Sequence, residues 1–175
     1  MSKPGGAEPA RDMMDEVQRL WRRARPDDDV GPMGVVGRIQ RASRLLEQGH
    51  RDYFRQFDID DGEFNVLATI RRYGSPYVVS PGILLKTSYI KAAAITNRVD
   101  RLVAKGYVTR QTDPDNRRKV RVSLTPEGLE LVERAFGGHV ANEDRMLEAL
   151  DSGEREQLAG LMRKLLVSLG DVPVD

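Results

Sequence analysis

The stretch from Ser80 to Gly128 constrains the fold most, because it sets helix starts, a helix stop and a turn at short intervals around brief apolar runs. Ser80-Pro81 places a capping hydroxyl before a proline at the first helical position, which opens a short helix carrying Ile83, Leu84 and Leu85. After a turn around Lys86 to Ser88, a second helix is predicted from about Ile90 to Lys105. Its periodic residues are Ile95, Val99, Leu102 and Val103, and Gly106 stands just past its end. Two alternating runs follow, Tyr107 to Gln111 and Lys119 to Leu124, separated by the turn residues Thr112-Asp113-Pro114-Asp115-Asn116. Two helices across so short a turn, followed by a hairpin, read as a winged helix-turn-helix. The expected fold class is mainly α with a small β-hairpin wing.

Helices are predicted on both flanks. Val17, Leu20, Trp21 and Ala24 mark an amphipathic helix that Pro26 and Asp27-Asp28-Asp29 end. A longer one begins near Pro32, with Val35, Val36, Ile39, Leu45, Leu46, Tyr53, Phe54 and Phe57 on its buried side. Asp60 or Asp61 caps a third, with Phe64, Leu67, Ala68 and Ile70 inward and Gly74 closing it. Thr125-Pro126 opens another, with Leu129, Val132, Ala135 and Phe136 inward and a bend expected at Gly137-Gly138. Asp151 or Ser152 caps the last, bearing Leu158, Leu161, Met162, Leu165, Leu166 and Leu169. These terminal helices have little domain of their own to cover, so their apolar stripes are expected to pack between two chains as an obligate homodimer. The domain reading is a disordered start (1–11), N-terminal helices for dimerisation and a ligand pocket (12–57), the DNA-binding winged helix (58–124), C-terminal dimerisation helices (125–170) and a tail (171–175).

Charge sharpens this reading. The 175 residues carry a formal net charge of +1, yet positions 91–121 hold nine bases against three acids, and positions 122–175 hold five bases against eleven acids. A basic segment beside an acidic one suggests that one part of the molecule engages a polyanion. On a winged helix, Lys91, Asn97 and Arg98 face a major groove, Asn suiting adenine and Arg or Lys suiting guanine. Arg117 and Arg118 at the wing suit a narrow minor groove, Ser80 suits a phosphate as well as its capping role, and Arg101 adds to the basic surface.

Other classes are excluded or weakened. There is no cysteine, hence no disulfide, thiolate metal site or cysteine nucleophile. No apolar stretch is long enough to span a membrane, and the first residues lack the apolar core of a secretory signal; a cytoplasmic protein is expected. No P-loop, GxGxxG or Gly-x-Ser-x-Gly motif is present, so neither an enzyme nor a cofactor is expected. The two histidines, His50 and His139, show no ligand spacing, and no metal is expected. The alternative from another class is a helical dimeric interaction protein without DNA binding.

The run Ile95-Thr96-Asn97-Arg98-Val99-Asp100-Arg101-Leu102, then Gly106-Tyr107-Val108, Asp113-Pro114-Asp115-Asn116-Arg117-Arg118 and Leu124-Thr125-Pro126-Glu127-Gly128 resembles the MarR family of bacterial transcription regulators. With the helical order, the likeness covers about residues 30–170. It implies a homodimer of winged helices on a pseudo-palindromic DNA operator, usually a repressor released by a small ligand. The extra N-terminal helix, Gly31-Pro32-Met33 and Gly62-Glu63-Phe64-Asn65-Val66-Leu67-Ala68 resemble the urate-responsive branch. That likeness implies a ligand site with Trp21 as the stacking residue, Arg110 as the wing-base arginine that meets an anion and Arg98 as the relay. The position usually held by an aspartate is Asn65, which removes a carboxylate that would repel an incoming anion. The implied effector is a small aromatic anion, urate or a related purine, with a non-purine ligand as the other reading.

Overall fold

The computed structural model describes residues 10–87, 92–113, 116 and 119–172. Most of the start expected to be disordered, Lys91, Arg117 and Arg118 of the DNA-binding reading, and the last residues of the tail lie outside the described residues. The chain divides into two compact units, Met1–Gln48 and Gly49–Asp175.

In the first unit, α1 (Met13–Ala24) is opened by Asp12. Its carboxylate accepts from the amides of Met14 and Asp15 while the Asp15 carboxylate accepts from the Asp12 amide, so three otherwise orphaned donors are satisfied. The helix packs on the start of α2 (Gly31–Phe54) through two glycine notches. A Cβ at Gly34 would lie 2.4 Å from Gln18 Nε2, and one at Gly37 would lie 2.3 Å from Met14 Cε. Gln18, buried there, donates to the Val30 carbonyl at 2.9 Å, so its burial leaves no unpaired amide donor at that contact. Leu20 and Trp21 stay exposed because the notches use a different face of α1, and Val35, Val36, Leu45 and Leu46 of α2 are exposed as well, as stripes expected to pack between two chains are within one chain.

The second unit runs from the end of α2 through a 3-10 turn (Arg55–Phe57), α3 (Asp61–Arg72), β1 (Val78–Val79), α4 (Pro81–Lys86) and α5 (Ala92–Ala104). It continues with β2 (Val108–Thr112), β3 (Val120–Leu124), α6 (Pro126–Met146) and α7 (Ser152–Ser168). Phe54, Phe64, Leu67, Ile70, Leu84, Val99, Leu102, Val122, Leu131 and Val132 form one continuous core. The wing is the expected antiparallel hairpin, registered Val108 to Leu124 and Arg110 to Val122. A third strand was not expected: β1 pairs with β3, giving the order β1-β3-β2. Two residues are too few for an alternating pattern to show in the sequence.

Punctuation residues fix the end of α5 against the start of α6. Gly106, at φ 76°, takes the left-handed conformation that ends α5, with its amide donating to Val103 and the Tyr107 amide to Leu102. The Thr125 hydroxyl donates to the Gly106 carbonyl at 2.8 Å and accepts from the Gly128 amide at 3.0 Å, so one side chain caps α6 and holds the end of α5. A Cβ at Gly128 would fall 1.9 Å from the Tyr107 carbonyl oxygen. Gly138 serves a neighbour in the same way: Tyr53 fills the space where its Cβ would be and donates to the Ala135 carbonyl at 2.7 Å. α6 runs as one continuous helix through Gly137-Gly138.

No described helix is long and apolar enough to cross a membrane. Gly128→Ala is expected to destabilise the fold by about 2 kcal/mol or more, because the obstructing atom is backbone and cannot swing aside. Urea unfolding of the variant against the parent measures it, and an unchanged midpoint would refute the close approach.

Candidate nucleic-acid interface

The face that α5 offers to solvent follows from what its other face buries. Ile95, Val99 and Leu102 are in the core, and Ala93, Thr96, Asn97 and Asp100 are exposed. Asn97 therefore lies on the face of α5 that the core leaves to solvent. Ser80 caps α4, its hydroxyl accepting from the Ile83 amide at 3.3 Å, and its side chain is engaged locally. On the wing, Arg121 pairs with Asp113 at 3.0 Å, and Lys119 is exposed. Arg110, at the wing base, donates to Asp100 of α5 at 3.1 Å, tying the wing to the helix beside it.

Arg98 and Arg101 turn toward α3. A Cβ at Gly62 would lie 2.1 Å from Arg98 Cζ, so the guanidinium lies across that glycine and is half-buried rather than directed outward with Asn97. Arg101 donates to Glu63 at 2.8 Å and to Asp60 at 2.5 Å. Lys105 completes the cluster, donating to Glu63 at 3.1 Å. Glu63 is only 2% exposed. Burial pushes its carboxyl up, but hydrogen bonds from Arg101, the Asp60 amide and Lys105 together hold it below the ordinary 4.5. Arg101, expected to add to the DNA-facing charge, has this structural use.

The four positions of the ligand reading fall in both units. Trp21, in the first, is 45% exposed, so it is not the core residue that an indole on an amphipathic helix often is. In the second unit, Asn65 donates to the backbone carbonyl and the carboxylate of Asp61, at 3.0 and 3.2 Å. Arg98 and Asn65 thus both meet the first turn of α3, and Arg110 sits at the wing.

Residues 59–120, which span α3 through the tip of the wing, match the sequence profile of the MarR family. The transcriptional regulator PecS of Dickeya dadantii is 36% identical over 150 residues, covering 86% of this chain and 90% of PecS. The chain belongs to the MarR family. It is accordingly a DNA-binding transcriptional regulator of the winged-helix type. Among solved structures, a variant of Escherichia coli MarR complexed with operator DNA superposes with a TM-score of 0.70 at 27% identity, covering 80% of this chain and 99% of that one. BpsR of Bordetella bronchiseptica, whose DNA binding is regulated by 6-hydroxynicotinic acid, gives 0.69 at 25% identity, covering 79% and 95%.

Sequence spacing separates the histidines of this MarR-family chain, but the fold brings them together. Their ring centroids are 5.3 Å apart, beside Glu143 and Asp61. Only the i,i+4 spacing of His139 and Glu143 was visible in the sequence, and an acid four residues from a histidine on a helix is too common to single out.

Replacing Glu63 by Gln leaves two cations with one fewer acid in a desolvated corner, and is expected to cost about 2–3 kcal/mol, the lower end for a broken buried pair because Arg101 is half-exposed. Because the folded-state carboxyl titrates below its unfolded value, this stabilisation is complete above pH 4.5 and disappears as pH falls through the folded value. Thermal melts of parent and variant should therefore differ at pH 7 and converge in acid. Equal melting temperatures at neutral pH would remove the network from the account.

Proposed function

We propose that this chain is a repressor that binds a pseudo-palindromic operator as a homodimer and is released by a small aromatic anion. The observation that carries the DNA half is the division of α5: aliphatic residues seat it in the core while Asn97 and its neighbours face outward, within a segment of net charge +6. Affinity then comes from phosphate neutralisation, and sequence choice from Asn97 and, in the same reading, Lys91. Arg117 and Arg118 are assigned to the minor groove beside the wing, and Ser80 to a phosphate at the start of α4.

Dimerisation is supported by what each unit leaves uncovered. Val35, Val36 and Leu45 in the first unit, and Leu161, Val167 and Leu169 in the second, are large apolar side chains with more than half their surface exposed. No residue of α7 is buried, so a helix of this length gains little from its own chain and needs another surface. A twofold dimer also presents two recognition helices to two half-sites, as a pseudo-palindrome requires.

The effector half rests on Trp21, Asn65, Arg98 and Arg110. An exposed indole and a guanidinium suit a planar anion, and the regulation of BpsR by 6-hydroxynicotinic acid supports the class. Urate or a related purine is the first candidate, and a non-purine aromatic acid is the second. Release requires the effector to prefer the DNA-incompetent state, since equal binding to both states moves nothing.

Binding to the promoter region upstream of its own gene, followed across a salt series, is expected to give a steep log–log dependence. Each neutralised phosphate contributes about −0.9 to the slope. Asn97→Ala should lose about tenfold or more for the operator while affinity for scrambled duplex barely changes. A flat salt profile without duplex binding would leave a helical interaction protein instead. Trp21→Ala and Arg110→Ala proteins should shift operator DNA normally and fail to release it with urate or the aromatic acid that stabilises the parent. Normal release from either variant sinks the pocket assignment.

A further inference from the structure

The chain has two histidines and no cysteine, and both histidines stand at one place. His50 lies near the end of α2, while His139 and Glu143 lie one turn apart on α6. Glu143 Oε1 is 3.3 Å from His139 Nε2 and 3.7 Å from His50 Nε2, and one donor atom from each residue lies within 4.8 Å of the other two. With zinc–ligand bonds of about 2.0–2.1 Å, the edge of a tetrahedral site is about 3.4 Å, so two of the three edges already have the right length.

The surroundings fit the same use. Asp61 Oδ1 lies 3.4 Å from His50 Nδ1, a carboxylate placed to keep the proton on that nitrogen and leave the Nε2 lone pair free. Asn65 holds Asp61 by its other oxygen. The His139 ring packs against Phe54, Phe64 and Tyr53, and its Nδ1 is buried with no hydrogen-bond partner among the described residues. An imidazole in that apolar shell costs more than a phenyl ring, so packing does not explain its presence. Glu143 remains half-exposed, which provides a way in from solvent.

We propose that His50, His139 and Glu143 form a divalent transition-metal site, with Zn2+ the ion their donors fit best. Two imidazoles and one carboxylate suit Zn2+ and Co2+ rather than Mg2+ or Ca2+, which take all-oxygen shells. Three protein ligands leave a fourth position for water or an incoming anion. A bound ion joins the end of α2 to α6 beside the first turn of α3, where Arg98 rests on Gly62.

The test uses untagged full-length protein, stripped with EDTA and desalted. Titration with Co2+ should saturate at one ion per chain with the visible absorption of a four-coordinate site, Zn2+ should displace it, and excess Mg2+ should not. Zn2+ should also raise the Tm. His50→Gln and Glu143→Gln should each weaken binding about tenfold or more, and Asp61→Asn by a similar factor through His50. His139→Phe keeps the aromatic packing but removes a ligand. It should melt at or above the metal-free parent and show no Zn2+-dependent rise in Tm. Absence of saturable binding in the folded parent, or unchanged affinity in both His50→Gln and Glu143→Gln, overturns the site. Neither readout involves DNA, so loss of the regulatory reading would leave this one standing.

Discussion

A carboxylate removed from water is the constraint on which the rest of the second unit depends. Glu63 remains charged at 2% exposure because Arg101, in the C-terminal half of α5, and Lys105, just past its end, reach it. An unpaired charge there would cost several kcal/mol, so α5 cannot slide or turn against α3 without exposing that cost. The neighbours of Glu63 divide the remaining work. Asp60 caps α3 and takes the second edge of Arg101, Asp61 meets His50, and Gly62 provides the floor under Arg98. Successive helical residues point about 100° apart, which is why one turn can touch the capping loop, the end of α2 and α5 together.

The exposed face of α5 inherits its geometry from this turn. Asn97 and Arg98 are adjacent in sequence and face different ways, the first outward and the second onto α3. A change at the first turn of α3 therefore reaches α5 through Arg98, Arg101 and Lys105, without any bond to the side chains on its exposed face. At its other end, α5 is held through Gly106 and the bifunctional hydroxyl of Thr125, and on its flank through the pair Asp100–Arg110. Polar contacts on three sides thus fix α5, in addition to its hydrophobic seat.

Legibility in the sequence tracked the range of the interaction. Caps and stops are local chemistry, and Ser80-Pro81, Gly106 and Thr125-Pro126-Glu127-Gly128 name the boundaries that the backbone then adopts. The core face of α5 followed from periodicity at Ile95, Val99 and Leu102, whereas Val103, expected with them, is exposed. What escaped was set by partners distant in sequence. The glycine notches on α2 chose Met14 and Gln18 over Leu20 and Trp21, and a short hydrophobic strand gained meaning only beside β3. The use of Arg101 for Glu63, and the meeting of His50 with His139, likewise depend on how α2, α3, α5 and α6 converge. Periodicity cannot distinguish a stripe awaiting another surface from one buried in its own chain, as Val35 and Leu45 illustrate.

Asn65 acquires a physical reason from its neighbours. Its amide donates to both the carbonyl and a carboxylate oxygen of Asp61, one turn earlier on α3. An aspartate there would instead set two carboxylates about 3 Å apart, which raises one of their pKa values or drives the side chains apart. The asparagine turns that repulsion into an attraction and leaves Asp61 free to orient His50 through its other oxygen. The first turn of α3 consequently carries an amide that is already committed, with Arg98 lying across Gly62 beside it. Any anion that draws this arginine away must compensate for contacts with the same helix turn that seats α5. The start of α3 and the position of α5 are in this way coupled through Arg98, Arg101 and Lys105.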